Sequence, residues 1–183
     1  MKRIAVILLA LALLATMACP AMGEAANTFS TAYYTLTLPE GWTIETSDLD
    51  KEENSEELGA LYDPNDPGLV LEAGLIYYKD LDDIALWNAD ENTMQAYIDA
   101  ILSDFEEDNP EYVTTLNAGA IPFIVIRAED DDGPYYYIDT MTNGYAVVFY
   151  AYCASSDSDT TLPLTDADWA QIEQILSTFQ PVA

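Results

Sequence analysis

The sequence predicts an α+β fold: a three-layer α/β/α sandwich with a central antiparallel sheet and two main helices. Three observations predict it. Ile121 to Ala128 and Tyr145 to Cys153 read as strands that are apolar on both faces, Arg127 excepted. Such strands must be covered above and below. The turn signals Asp130-Asp131-Asp132-Gly133 and Asn143-Gly144 join consecutive strands as hairpins, which makes them antiparallel. Two further segments carry one apolar stripe at three- and four-residue spacing and supply the covers.

The elements follow in order. Tyr33 to Leu38 alternates, with Tyr34, Leu36 and Leu38 on one side, as a half-buried strand does. Pro39-Glu40-Gly41 turns the chain, and Trp42 to Glu45 begins a second strand, so the two form an opening hairpin. Ser47 to Glu57 is charged and unpatterned and reads as a loop. Leu58 to Tyr62 is a short strand, Asp63 to Gly68 a turn, and Leu69 to Tyr78 a long strand. Asp80 to Ala89 is a connection whose Leu81, Ile84, Leu86 and Trp87 are expected to pack.

The first helix runs from about Asn92, its expected cap, to Asn109-Pro110, which stops it. Met94, Tyr97, Ile98, Ile101, Leu102 and Phe105 form its apolar stripe. Four strands then make a meander: Tyr112 to Leu116, Ile121 to Glu129, Tyr135 to Thr142, and Tyr145 to Cys153. A polar loop from Ser155 to Leu164 feeds the last helix. Thr165 caps it, with Asp168 at the third position, and Trp169, Ile172, Ile175, Leu176 and Phe179 face the core.

The N-terminus reads as an export signal. Lys2 and Arg3 precede an apolar run from Ile4 to Ala15, too short to span a bilayer. Ala21-Met22-Gly23 is a small-x-small cleavage site. Residues 1–23 are therefore a signal peptide, 24–30 a short N-terminal extension and 31–180 a single globular domain. A competing reading takes Thr16-Met17-Ala18-Cys19 as a lipobox and lipidates Cys19, which would tether the domain to the outer face of the membrane. Ordinary cleavage is favoured because Thr16 stands where leucine is usual and Pro20 follows the cysteine.

Charge excludes several partners. Loss of residues 1–23 removes two of five basic residues and none of the 33 acidic ones. That leaves Lys51, Lys79 and Arg127 and a net charge of −30. Such a surface repels nucleic acid and anionic lipid and attracts cations and basic proteins. No other segment is long and apolar enough to span a membrane. Only Cys153 then remains, so no internal disulfide is expected, and it reads as a small buried hydrophobe.

The order of elements resembles the PsbP-like fold, which is shared with the Ran-binding import factor Mog. The local match is Tyr34-Thr35-Leu36-Thr37-Leu38-Pro39-Glu40-Gly41-Trp42, a strand entering Leu-Pro-x-Gly-Trp. The pattern covers residues 31 to 180. The resemblance implies a three-layer sandwich used mainly for binding and scaffolding. It implies Trp42 as a core anchor and no catalytic residue, and neither photosystem nor Ran binding carries over.

The chemistry that the residues permit is narrow. There is no histidine, hence no His-activated nucleophile, His metal site or His proton shuttle. No phosphate loop appears, and no cofactor is expected. Asp63 to Gly68 fails as a calcium loop because Pro67 and Gly74 stand at ligand positions five and twelve. Asp130, Asp131 and Asp132 are candidate cation ligands at a hairpin tip, where a solvated turn is the plainer reading. Tyr135, Tyr136 and Tyr137 are a candidate ligand surface, although alternation divides them between the two sheet faces. The expectation is a non-catalytic exported binding or accessory domain of the bacterial cell envelope, or else an extracellular protein binding a small ligand or cation in a tyrosine-rich or acidic cleft.

Overall fold

A computed structural model describes residues 27–46, 50–78, 84–142, 144–155 and 160–182. The signal segment 1–23, Cys19 and Leu81 lie outside the described residues. Strands β1 (Asn27–Ser30), β2 (Tyr34–Leu38), β3 (Thr43–Glu45), β4 (Ser55–Asp63) and β5 (Asp66–Tyr77) lead to helix α1 (Glu91–Asp104). Strands β6 (Glu111–Ala118), β7 (Ile121–Asp130), β8 (Gly133–Thr142), β9 (Tyr145–Ala154) and β10 (Thr161–Leu162) precede helix α2 (Asp166–Leu176) and strand β11 (Gln180–Pro181). The large sheet has the order β3-β4-β5-β9-β8-β7-β6, with β10 added beside the end of β9, and every pairing is antiparallel.

The meander stands as expected, and its inner strands are sealed on both sides. Phe123, Val125, Ile138, Val147, Phe149 and Ala151 are buried toward α2. Ile124, Ile126, Tyr137, Met141, Ala146 and Val148 are buried toward α1. Thr142 pairs directly with Tyr145, which makes β8 and β9 an antiparallel hairpin. Gly144 there has φ of 88°, a conformation that costs glycine little.

The α2 side differs from the expectation. Tyr34 and Trp42 do not open a hairpin. β2 is flanked by β1 and β11 in a separate three-stranded sheet, which leaves it no free edge for β3. The turn closes with the Trp42 amide donating to the Pro39 carbonyl at 3.2 Å and hands the chain across to the large sheet, where β3 pairs with β4. Trp42 is buried in the core, and the Asn27 side chain donates to its carbonyl. Residues 27–30 are thus a strand and not an extension. This small sheet and α2 together form one outer layer, and α1 with the adjoining 3-10 turn Leu86–Asn88 forms the other.

Several boundaries also move. β4 starts at Ser55, inside the expected loop, because Glu56 and Glu57 pair with β5. α1 is capped by Asp90, whose carboxylate accepts from the Thr93 amide at 2.7 Å, and not by Asn92. Trp87 remains 38% exposed, while Leu86 beside it is buried. Thr165 and Asp168 form the expected reciprocal cap of α2. Cys153 is half-buried against the core and donates its thiol to Asp168 at 3.5 Å.

Phe149 joins the layers, with its ring 6.0 Å from Tyr34 in the small sheet and 6.3 Å from Phe123 in β7. Phe149→Ala is expected to cost roughly 3–5 kcal/mol of stability, read by urea unfolding. A loss under about 1 kcal/mol would show that the layers do not depend on this contact.

Candidate functional site

α1 ends at Asp104, and the 3-10 turn Glu106–Asp108 follows. Asn109 takes a left-handed conformation, φ 49°, which asparagine tolerates, and Pro110 starts the next segment. Phe105 packs edge-on to Tyr135 of β8, and the Tyr135 hydroxyl donates to Asp108 Oδ2 at 2.7 Å. These contacts fasten the turn to the end of the sheet, opposite the β7–β8 hairpin.

An open groove of roughly 620 Å³ lies between them. Glu107, Asp108 and Asn109 line one wall, and Arg127, Glu129, Asp130 and Asp131 the other. Five carboxylates thus face one guanidinium, and Arg127 is held by Glu129 at 2.8 Å. That pair is largely exposed and adds little stability. The groove is polar and strongly negative, which suits a cationic ligand and repels anions.

The aspartates of the tip form a turn. Asp130 Oδ1 accepts from the amides of Asp132 at 2.9 Å and Gly133 at 3.1 Å. Among the described residues, no three His, Cys, Asp or Glu side chains are arranged to hold a metal ion. Asp130, Asp131 and Asp132 are not gathered into such a group, and Asp130 Oδ1 is turned onto backbone amides. Asp130 and Asp131 do join the groove, and Asp132 does not.

Tyr135, Tyr136 and Tyr137 do not form a ligand surface. Tyr136 is buried against Trp169 of α2, with ring centroids 4.8 Å apart. Tyr137 is buried on the opposite face between Phe105 and Tyr150, and Tyr135 is half-buried beside them. The period-two alternation of β8 splits the three, so none is left to build a common patch.

The main polar feature that sequence reasoning missed is Asp139, fully buried at the centre of β8. It lies on the α1 face, and Tyr97 of α1 donates its hydroxyl to Oδ2. Oδ1 has no hydrogen-bond partner among the described residues. Burial pushes the carboxyl up to about 7, against the smaller opposing pull of the Tyr97 and Tyr137 hydroxyls. Burial, helped by the charges of Asp139 and Asp104 and by Tyr150, raises Tyr78 to about 12. The signal was an acid in mid-strand, in phase with Tyr135, Tyr137 and Met141. Its partner was hidden because Tyr97 also completes an apolar helical stripe.

No protein-family model matches the chain, and no curated protein matches it. Among solved structures it is similar to a crystal structure from Bacteroides thetaiotaomicron VPI-5482, with 12% identity and a TM-score of 0.44. The match covers 85% of this chain and 48% of the other, so the chain spans about half the length of that protein. It is also similar to the solution structure of cyanobacterial PsbP (CyanoP) from Synechocystis sp. PCC 6803. The identity there is 11% and the TM-score 0.49, over 91% of this chain and 98% of the other. A PsbP thus stands among the structural neighbours, at a similarity that leaves the architecture to rest on strand order and burial. Among the described residues, no helix is long and apolar enough to cross a membrane.

Asp139 gives a pH prediction whose sign is set by its raised pKa. The folded chain holds this proton more tightly than the unfolded chain does. The resulting stabilisation is fully present below about pH 4 and is lost as pH rises to about 7. Its full size is on the order of 4 kcal/mol. Asp139→Asn keeps an acceptor for Tyr97 and abolishes the titration. The stability of the variant relative to the native chain should therefore rise between pH 5 and pH 8 in urea unfolding. A difference that stays flat across this range would mean that Asp139 is already ionised at little cost.

Proposed function

We propose that this chain is an exported, non-catalytic binding domain of the bacterial cell envelope, and that its acidic end groove receives a cationic partner. One observation carries the reading: five carboxylates from two separate segments converge on one groove and meet a single guanidinium that is already paired. The net charge adds a long-range field of the same sign, which speeds the approach of a basic partner. Export rests on the charged start, apolar run and small-x-small site of residues 1–23. The absence of histidine from the sequence removes the commonest acid–base catalyst.

The test uses fluorescein-labelled octalysine and the chain from residue 24 onward. Binding should weaken about tenfold between 50 and 200 mM salt, as screening requires. The variant Glu107→Gln/Asp130→Asn/Asp131→Asn should bind at least tenfold more weakly than the native chain. A charge-matched control, Glu40→Gln/Glu52→Gln/Glu173→Gln, removes three exposed acids elsewhere and should lose less than threefold. Equal losses in both variants would reduce the groove to a share of the overall charge and overturn the reading.

A further inference from the structure

We infer that the partner is an extended basic polypeptide segment, which adds as a strand to the free edge of β6 and places its cationic residues in the acidic groove. This rests on the reading above and names the form of the ligand. The large sheet ends in two unlike edges. β3 has three residues, whereas β6 has eight and pairs on one side only among the described residues. An edge of that length presents unpaired amides and carbonyls to any strand of suitable sequence. Natural edges are commonly blunted by lysine or proline. β6 carries neither, and Tyr112 to Leu116 reads Tyr-Val-Thr-Thr-Leu, all but the last strongly strand-forming. Tyr112 and Val113 are 41% and 44% exposed.

Register identifies the groups that a partner would meet. The two-residue turn Gly119–Ala120 closes on the pair Ala118 and Ile121. Hydrogen-bonded and non-bonded pairs then alternate along the hairpin. Asn117 opposite Pro122 and Thr115 opposite Ile124 fall in the non-bonded class, so their amides point away from β7 and out of the sheet. Pro122, which has no N–H to offer, fits that class. A bulge between Tyr112 and Thr114 ends the regular edge.

Charge complementarity selects the occupant. Beyond the bulge, Glu111 pairs with Arg127, and Arg127 lines the groove. The groove therefore lies at the N-terminal end of β6, past the bulge, so a strand on the regular edge would have one end toward five carboxylates. A second copy of this chain is disfavoured because it would bring the same acids against them. Antiparallel addition, as everywhere else in this sheet, places the C-terminal residues of the incoming segment at the groove.

The probe is the peptide acetyl-Thr-Val-Thr-Val-Lys-Lys-Lys-Lys-amide, compared with the same peptide N-methylated at both valines, a change that leaves its charge intact. The plain peptide should bind at least tenfold more tightly. It should also slow hydrogen exchange of the Thr115 and Asn117 amides at least tenfold without slowing exposed amides of α2. Equal affinity of the two peptides, with Thr115 and Asn117 unprotected, would overturn strand addition and leave the electrostatic reading intact. Failure of both peptides and of octalysine to bind would overturn both. Thr115→Pro removes one outward amide and should reduce affinity for the plain peptide at least tenfold. Hydrogen exchange on the native chain decides the matter if that variant does not fold.

Discussion

Everything in this fold depends on burying both faces of β7, β8 and β9. A strand with apolar side chains on two sides gains stability from each, but only if two separate layers arrive. The chain meets that demand unequally. α1 and the 3-10 turn Leu86–Asn88 close one side, while the other is closed by α2 working with a second small sheet. Tyr34 fills the contact between that sheet and the meander, edge-on to Phe149 and stacked on Phe179 at 5.2 Å. Its hydroxyl has no partner among the described residues. Its aromatic packing must therefore outweigh the desolvation of one hydroxyl.

The buried acid on the other face shows how the same constraint limits polar chemistry. Asp139 is held by Tyr97, so this hydrogen bond across the layers also fixes helix against sheet. A carboxylate there is unfavourable at neutral pH, and the site gives up stability in return for a fixed helix position. The cluster of exposed carboxylates lies instead at the end of the sheet. There the β7–β8 hairpin leaves the sealed region, and carboxylates can stay hydrated.

Legibility in the sequence tracked locality. Hairpins read well because Asn143-Gly144 and the aspartate-rich turn act on adjacent strands, and both helices read well because their stripes are local. The second sheet was hidden. Asn27–Ser30 is four residues without a pattern of its own, and Gln180–Pro181 is only two. Both become strands by pairing with β2, β1 across the short turn 31–33 and β11 from the far end of the fold, a non-local event that no window of sequence records. Half of the candidate site was visible as acids at the hairpin tip. The other half, Glu107 and Asp108, looked like the polar side of a helix end, and only the fold sets it beside them. The tyrosine triplet misled for the opposite reason: its composition suggested a surface, and strand alternation dissolved it.

The clasp around β2 bears on how such a chain is made. Thr35 pairs with Ser30 on one edge and with Gln180 on the other, so the outer layer is incomplete until the last few residues are present. Two segments about 150 residues apart must therefore meet on one strand before this layer closes, which makes its closure a late and cooperative step of folding.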